Sequence, residues 1–328
     1  MKESEIRPPD LFNHYLALAR EDCRTLLAKA ASFIEVDCPA CGDAHKSPAF
    51  SKLGFEYVLC DGCQSLYASP RPSSDLTQEL YSRGKSVAFW STHFYKETYA
   101  ARKEKMFKPR AALVRELVER HSGATAAIVD VGAGYGVFLE TMRELKVFDS
   151  LMAVEPNSEL AAICEEKGFH VIPKRVEDVP TGLVQASCAS AFEILEHVFS
   201  PVEFLRAVHN LLEPAGLLIL TTLTVSGFDI QVLWENSKSV YPPHHLNLIS
   251  VQGIERLIER AGFRAVDIST PGLLDVDIVA NALKEDPNIA VPRFVLQLLN
   301  GDPRTRQNFQ EFLKTNRLSS HIRVVARA

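Results

Sequence analysis

The feature that most constrains the fold is a glycine-rich segment at residues 126–140, which reads AAIVDVGAGYGVFLE. The residues before the glycines are largely apolar and predict a buried strand. Gly132, Gly134 and Gly136 follow with the spacing G-x-G-x-G, and a helix is predicted directly after them. Such glycines let the backbone approach a ligand closely and turn into a helix N-terminus. The segment therefore predicts a ligand site at the end of a strand in an open α/β sheet.

A second acidic position follows at the distance expected of a nucleoside site. About twenty residues after the glycines, the apolar segment LMAV ends at Glu155. An acidic side chain at the tip of the second strand can accept hydrogen bonds from both hydroxyls of a ribose. Together, the glycines and Glu155 predict a cofactor that contains a nucleoside.

The acidic residue just before the glycines, Asp130, separates two kinds of cofactor. A dinucleotide would place its pyrophosphate on the glycine turn, where a neighbouring carboxylate repels it. The third glycine also comes one residue too early for G-x-G-x-x-G. S-adenosylmethionine (SAM) carries an ammonium and a sulfonium instead of a phosphate, so Asp130 would attract it. The pattern favours SAM; a tight turn without a ligand is the structural alternative.

Four of the seven cysteines form a metal-binding pattern. Their spacing, C-x2-C-x18-C-x2-C, lies in the range expected of a four-thiolate zinc site. A closed set of four thiolates leaves no open coordination position, so the predicted zinc is structural. The alternatives are four unrelated buried cysteines or a redox pair. The predicted ligands are Cys38, Cys41, Cys60 and Cys63.

Composition and charge restrict the partners. The 328 residues suggest two domains, or one domain with additions. A net charge of −5 and a pI near 6.1 provide no basic excess for a nucleic-acid backbone. The N-terminus lacks an apolar signal core, and no apolar run suggests a membrane span. We therefore expect a cytoplasmic protein that acts on a small molecule, with neither membrane nor nucleic acid as partner; its oligomeric state is open.

Polar residues after the fourth and fifth predicted strands are candidates for the reaction site. Glu193 and His197 follow the fourth strand, whose carboxyl end faces the ligand in such sheets. After the fifth strand, the segment YPPHHLN contains Tyr241, His244 and His245 in a backbone stiffened by two prolines. Histidine is suited to remove a proton near neutral pH. We predict that His244 or His245 is a general base with Tyr241 as orienting group or oxyanion donor. His197 competes for the role, and loop residues without a catalytic role are the alternative.

The stretch between the cysteines and the glycine strand predicts a helical lid. Residues 81–110 are rich in aromatic and basic side chains. The aromatic residues either stack on the adenine or a substrate, or pack the lid onto the core. They are Phe89, Trp90, Phe94 and Tyr95.

Several motifs together resemble class I SAM-dependent methyltransferases, and closely the bacterial branch with an N-terminal zinc-binding module. The motifs are VDVGAGYG, AVEPN, FEILEHVFSP, YPPHHLNLIS, ERAGFRAV and SSHIRVVARA. The resemblance implies a seven-stranded Rossmann-like α/β sheet in the order 3-2-1-4-5-7-6, with helices on both faces and an antiparallel last strand. It also implies a set of SAM contacts. These are Asp130, Gly132, Gly134 and Gly136 at the methionine part, Glu155 at the ribose, Asp178 near the adenine and Glu193 at the methyl group.

The expected domain division follows from the order of these segments along the chain. Residues 1–72 hold the N-terminal helix and zinc module, 73–110 the lid, and 111–328 the SAM-binding domain with a helical insert at 273–318. The zinc module is also similar to that of sugar C-methyltransferases, which carry a large additional C-terminal domain where this chain has only the insert. We therefore predict O- or C-methylation of a small-molecule, sugar or polysaccharide acceptor.

Three other functions remain as alternatives. A zinc-bearing RNA methyltransferase predicts a basic face and salt-dependent RNA binding, which the acidic pI opposes. A non-catalytic SAM-binding scaffold predicts loss of the glycines or of the ribose carboxylate, and neither is lost. An NAD oxidoreductase is disfavoured by Asp130 and by the glycine spacing.

Overall fold

The computed structural model describes residues 3–121 and 123–328, which form two sheets surrounded by helices. The strands are β1 (Lys46–Lys52), β2 (Phe55–Cys60), β3 (Leu66–Ala68), β4 (Ala127–Val131), β5 (Ser150–Val154), β6 (His170–Ile172), β7 (Ala186–Phe192), β8 (Leu212–Leu223), β9 (Asn247–Leu248), β10 (Arg264–Ser269) and β11 (His321–Arg327). The helices are α1 (Glu3–Ile6), α2 (Pro9–Leu27), α3 (Ser74–Arg83), α4 (Lys85–Phe89), α5 (Tyr95–Arg102), α6 (Lys108–His121), α7 (Val137–Leu145), α8 (Ser158–Glu166), α9 (Pro201–His209), α10 (Phe228–Leu233), α11 (Val251–Arg260), α12 (Asp275–Glu285), α13 (Arg293–Leu299) and α14 (Pro303–Thr315).

The larger sheet has seven strands in the order β10-β11-β8-β7-β4-β5-β6. The strands from β8 to β6 pair in parallel, whereas β11 is antiparallel to both of its neighbours. Alternate residues of β4 join separate cores, with Val129 and Val131 on one face and Ile128 on the other. Both faces are therefore covered, as a parallel sheet requires. Counted from β4, the order is 3-2-1-4-5-7-6, and the predicted fold class is confirmed.

The four-cysteine module contributes a small antiparallel sheet in the order β1-β2-β3-β9. The β1–β2 hairpin turns through Leu53 and Gly54, which have φ values of 51° and 85° and suit a two-residue hairpin loop. The fourth strand, β9, comes from a distant part of the chain, and Asn247 pairs with Tyr67. The segment that carries the predicted histidines therefore runs directly into the sheet of the cysteine module.

Buried polar contacts fix the module against the large sheet. The Arg71 side chain is fully buried, and its Nη1 donates to Asn247 Oδ1 at 2.9 Å and to the Phe199 carbonyl at 3.0 Å. Ser250 caps α11 and its N–H donates to Ser65 Oγ at 3.1 Å. These bonds cross the boundary between the first and third predicted domains. The division into domains stays a prediction.

The N-terminal helix and the lid share a small core with the histidine segment. Phe12, Leu16 and Ala19 of α2 are buried against Phe94 and Tyr241. Two π-helical turns, at residues 90–94 and 103–107, interrupt the lid helices. Such turns are frequent at functional sites because they redirect side chains within a helix. The lid is thus packed onto α2 rather than extended into solvent.

Helices α12–α14 form a further layer beside the carboxyl end of the sheet. Their apolar side chains pack with Leu233 of α10. Asp275 anchors the start of α12, because its carboxylate accepts from Ser319 Oγ at 2.6 Å and from Ser320 N–H at 2.7 Å. No helix among the described residues is both long and apolar enough to cross a bilayer.

Candidate active site

A cavity of about 1190 Å³ lies at the carboxyl ends of β4, β5 and β7. In open α/β sheets this edge is where ligands bind. The large sheet lines one side of the cavity, and α2, the lid and the start of α12 line the other. Most of the predicted site residues line it, namely Asp130, Gly132, Gly134, Glu155, Glu193, His197, Tyr241, His244 and His245.

Asp130 lies at the inner end of the cavity and is 4% exposed. Ser190 Oγ donates to its Oδ1 at 2.7 Å. Burial raises the pKa of Asp130 to about 7, and Ser190 and the positive charge of Arg110 offset this only in part. A cationic ligand beside Asp130 would restore the ionised carboxylate. The residue therefore fits the ammonium group of SAM.

The glycine turn leaves space beside its backbone for a ligand. Gly132, Gly134 and Gly136 all have positive φ, between 54° and 73°. A Cβ at Gly132 would lie 1.8 Å from Ile194 Cδ1, whereas one at Gly134 would meet no atom within 4 Å. A Cβ at Gly136 would lie 3.1 Å from Cys164 Sγ and 3.2 Å from Phe169 Cε2. Backbone conformation and space therefore both favour glycine at positions 132 and 136.

Glu155 closes the same turn. Its Oε2 accepts from the Gly134 N–H at 2.8 Å, and its Oε1 accepts from the Asn157 N–H at 2.9 Å. Burial raises the pKa of Glu155, and the two backbone donors act in the opposite direction. Each oxygen keeps a lone pair, which suits two ribose hydroxyls. Asp178, by contrast, is exposed, forms an ion pair with Arg175 at 2.8 Å, and does not line the cavity.

Glu193 lies where β7 ends, with a positive φ of 57°. Its Oε1 accepts from Thr221 Oγ1 at 2.7 Å and lies 2.9 Å from His321 Nε2 and 3.1 Å from Arg110 Nη2. Burial acts to raise the pKa of Glu193, but His321 and Arg110 outweigh it and hold the value far below its usual range. Glu193 is thus an ionised carboxylate in the wall of the cavity.

The loop after β7 and the histidine segment are joined by backbone hydrogen bonds. The Glu196 carbonyl accepts from the N–H groups of Leu246 and Asn247 at 2.9 and 3.2 Å. His197 Nδ1 donates to the His244 carbonyl at 3.1 Å. These bonds fix Glu196, His197, His244 and His245 in one cluster, with the His197 and His245 rings 4.9 Å apart.

His244 is 3% exposed and is held from the opposite side of the cavity. Its Nε2 lies 2.8 Å from Ser86 Oγ, and Ser86 Oγ donates to Asp22 Oδ2 through a short hydrogen bond. Asp22, on α2, also accepts from the backbone N–H groups of Lys85 and Ser86 at the start of α4. The chain Asp22–Ser86–His244 thus links α2, the lid and the histidine segment.

Two tyrosines frame this cluster differently. The Tyr241 hydroxyl donates to the Leu16 carbonyl of α2 at 2.7 Å. The Tyr81 hydroxyl is buried without a hydrogen-bond partner, and the Tyr81 ring lies 6.0 Å from the rings of both His197 and His244. Sequence reasoning missed Tyr81, Ser86 and Asp22. No sequence signal marks them, because the fold alone brings them to the histidines.

The predicted lid aromatics divide between core and cavity. Phe94 is fully buried, and its ring stacks on Trp90 with centroids 4.1 Å apart. Trp90 and Tyr95 line the cavity, and Tyr95 stacks on Tyr135 of the glycine turn at 4.9 Å. Phe89 packs against the His14 and His93 rings.

The four cysteines converge as their spacing predicted. Cys38 Sγ lies 3.5 Å from Cys63 Sγ, Cys41 Sγ lies 3.4 Å from Cys60 Sγ, and all four sulfurs lie within 4.8 Å of one another. A tetrahedral zinc with Zn–S bonds of about 2.3 Å places its sulfurs roughly 3.8 Å apart. The cluster fits a closed structural zinc site.

The sheet order, the glycine turn and the two buried carboxylates define a class I SAM-dependent methyltransferase. A family model described as "Methyltransferase domain" matches residues 100–268, more than half of the chain, and the chain therefore belongs to this family.

Named relatives and a solved structure agree with this class. A tRNA U34 carboxymethyltransferase of Pseudomonas fluorescens (strain SBW25) is 32% identical over 153 residues, which cover 43% of this chain and 48% of that protein. A ubiquinone biosynthesis O-methyltransferase of Ruegeria pomeroyi is 27% identical over 168 residues, 45% of this chain and 67% of that protein. The chain thus spans about half the length of the tRNA-modifying relatives.

The fold is similar to that of the plantazolicin methyltransferase BpumL in complex with SAH. The TM-score is 0.50 at 12% identity, and the match covers 76% of this chain and 93% of that chain.

Proposed function

We propose that this chain transfers the methyl group of SAM to an oxygen or carbon atom of a small-molecule or sugar acceptor. The observation that carries the proposal is a single cavity that joins the Asp130–Glu155 end to the buried histidine cluster. SAM supplies an electrophilic methyl group on a sulfonium. The protein then has to align an acceptor behind that methyl group and exclude water, which together can lower the barrier by about 7–11 kcal/mol.

The donor is held by charge and by backbone shape. Asp130 provides the carboxylate for the ammonium group, and Glu155 accepts from the ribose hydroxyls. Gly132 keeps the space beside Ile194 open. A contact of Asp178 with the adenine stays a prediction, since that carboxylate is paired with Arg175.

His244 is the general base of this proposal. Because Ser86 Oγ gives its only proton to Asp22, His244 Nε2 must donate to Ser86, and Nδ1 keeps the free lone pair. Burial, with His197 and His245 nearby, holds the pKa of His244 well below its usual range. The imidazole is therefore neutral near pH 7, and its Nδ1 accepts the proton that the acceptor releases. Ser86 and Asp22 are positioning residues.

The two tyrosines take different roles. Tyr241 orients the site by holding α2 over the cavity through the Leu16 carbonyl. Tyr81 has a free hydroxyl beside His197 and His244, and it is the better-placed donor to an oxygen of the acceptor.

A second candidate acceptor is tRNA, because the relatives at 32% identity are named as tRNA U34 carboxymethyltransferases. The net charge of −5 opposes a long polyanion, and α2 and the lid contribute to the wall of the cavity. We therefore favour a small acceptor.

The proposal is tested by incubating the zinc-loaded protein and SAM with hydroxylated small molecules, sugar nucleotides and bulk tRNA in separate reactions. Mass spectrometry would detect the gain of one methyl group. We expect methylation in the small-molecule or sugar arm. For His244→Ala we expect turnover to fall roughly 10²–10⁴-fold while SAM affinity, measured by calorimetry, is unchanged.

The matched control is His170→Ala, which removes an exposed histidine of β6 outside the cavity. Methylation of tRNA alone would show that the acceptor is tRNA and not a small molecule or a sugar. Full turnover by the His244→Ala variant would show that His244 is not the general base.

A further inference from the structure

The acceptor end of the cavity contains three side chains that the proposed proton transfer does not use. One carboxylate oxygen of Glu196 and one ring nitrogen each of His197 and His245 all lie within 4.8 Å of one another. Within residues 3–121 and 123–328, only this group and the four cysteines bring together three or more such ligand atoms. All three residues line the cavity, so the group is open to a ligand on one side.

The orientation of both rings is fixed by backbone carbonyls. His197 Nδ1 lies 3.1 Å from the His244 carbonyl oxygen, and His245 Nδ1 lies 2.6 Å from the Ser239 carbonyl oxygen. A carbonyl oxygen only accepts, so each Nδ1 carries the proton and each Nε2 keeps its lone pair. A metal-binding histidine is held by this same arrangement, in which the second nitrogen donates to a carbonyl or carboxylate.

The carboxylate is supported in the same way. Thr222 Oγ1 donates to Glu196 Oε2 at 2.7 Å. Glu196 is 2% exposed, and its own carbonyl is fixed by Leu246 and Asn247. All three side chains therefore already have the partners that usually support metal ligands.

We propose that Glu196, His197 and His245 bind a divalent transition-metal cation at the acceptor end of the cavity. Two imidazoles and one carboxylate form a nitrogen–oxygen ligand set that suits such cations and leaves coordination positions open. The open positions face the cavity, where they take an oxygen atom of the acceptor. The metal acts as a Lewis acid on that oxygen, and His244 Nδ1 removes its proton.

Charges around the group act in both directions. Glu193 adds a negative charge that acts on Glu196 and His245, and Arg7 adds a positive charge that acts on the same two residues. Arg7 packs over the Phe12 ring, with 5.5 Å from its guanidinium carbon to the ring centroid. Removal of Arg7 therefore lowers the electrostatic cost of a bound cation. Arg7→Ala should bind the metal several-fold more tightly.

The role of the cation in activating the acceptor rests on the proposed function, but its binding does not. The experiment uses protein whose cysteine cluster is already filled with zinc, and titrates it with Co²⁺. Co²⁺ is a suitable probe because imidazole and carboxylate ligands bind it without thiolates. Its visible spectrum distinguishes nitrogen–oxygen ligands from sulfur ligands, so exchange into the cysteines is recognised directly.

We expect one Co²⁺ per chain with a nitrogen–oxygen spectrum. His245→Ala and the isosteric Glu196→Gln should each weaken binding by roughly 10–100-fold or more. His170→Ala should bind Co²⁺ like the unmodified protein. The SAM affinity of each variant serves as the check that it is folded.

Absence of saturable Co²⁺ binding by the unmodified protein would overturn the proposal, and so would unchanged binding in both His245→Ala and Glu196→Gln. Methyl transfer in metal-free buffer without Co²⁺ binding would leave the proposed function intact and remove the metal site. Co²⁺ binding without methylation of any acceptor would support the metal site and contradict the proposed function.

Discussion

The donor end of the cavity, residues 130–155, is local in sequence, whereas the acceptor end is assembled from the whole chain. Gly134 and Glu155 meet across one strand–turn–helix–strand unit. His244, in contrast, is held by Ser86 of the lid and, through it, by Asp22 of α2. The cysteine module adds β3, on which β9 pairs directly after the histidines. The two ends of one cavity thus depend on different parts of the molecule.

This difference predicts that the two ends can be damaged separately. Donor binding should survive any change that loosens α2, the lid or the cysteine module. The rate of methyl transfer to the acceptor should fall after each of these changes. The predictions below run from the largest expected effect to the smallest.

Removal of the structural zinc should have the largest effect, and only at the acceptor end. The cysteine sheet holds the histidine segment through β9 and through the Tyr57 hydroxyl, which donates to the His245 carbonyl at 2.8 Å. Displacement of the histidines by about 1 Å is expected to lower kcat roughly 10²-fold. SAM affinity should stay within about threefold, and hydrogen exchange should rise at residues 241–248.

Zinc re-addition is the control and should restore kcat. A parallel loss of SAM affinity would show that the two ends are not separable.

Gly132→Ala should instead damage the donor end. The added Cβ would meet Ile194 Cδ1, and the φ of 73° is strained for any side chain with a Cβ. A cost of about 1–3 kcal/mol corresponds to SAM binding weakened roughly 5–150-fold. Calorimetric titration with SAM measures it.

Gly123→Ala is the matched control, because Gly123 has a φ of 67° and open space around it and lies outside the cavity. Equal SAM affinity in the two variants would mean that the turn does not bind the donor.

Ser86→Ala should give a smaller loss at the acceptor end. The variant removes the hydrogen bond that fixes the His244 tautomer, a contribution of about 1 kcal/mol, so kcat should fall roughly fivefold. The pH profile of kcat should also change, because the His244 Nε2–H loses the acceptor that fixes its position. Ser86→Thr, which keeps the hydroxyl, should restore the profile. A fall in kcat with an unchanged profile would assign Ser86 a purely structural role.

Asp229→Asn should have the smallest effect, confined to stability. Asp229 is fully buried, and burial together with Asp275 raises its pKa to about 8. The folded protein therefore favours the protonated form, whose stabilising contribution is complete below about pH 4 and is lost as the pH rises through 8. The variant should be more stable than the unmodified protein at pH 8 by at least about 1 kcal/mol, with a flatter pH dependence in urea unfolding.

Asp277→Asn, at an exposed position of α12, the helix that also carries Asp275, is the control and should keep the original pH dependence. A pH dependence that persists in Asp229→Asn would place its origin in another group.

The sequence was sufficient for the parts of the protein that are local. Apolar runs of five to seven residues, glycine spacing and cysteine spacing each depend on neighbours in the chain, so they predicted individual strands of the large sheet, the glycine turn and the sulfur cluster. The order of the strands was implied by the resemblance to class I SAM-dependent methyltransferases. The acidic residue at the tip of β5 was located for the same reason.

The rest was decided by tertiary structure, because long-range pairing leaves no periodic signal. Nothing local marks Asn247 as the partner of Tyr67 in the cysteine sheet, or Ser86 as the partner of His244. Nor does the sequence show that Tyr81 keeps a free hydroxyl while that of Tyr241 binds a carbonyl. Burial and hydrogen bonding set the chemistry of those side chains, and both are created only when distant segments pack together.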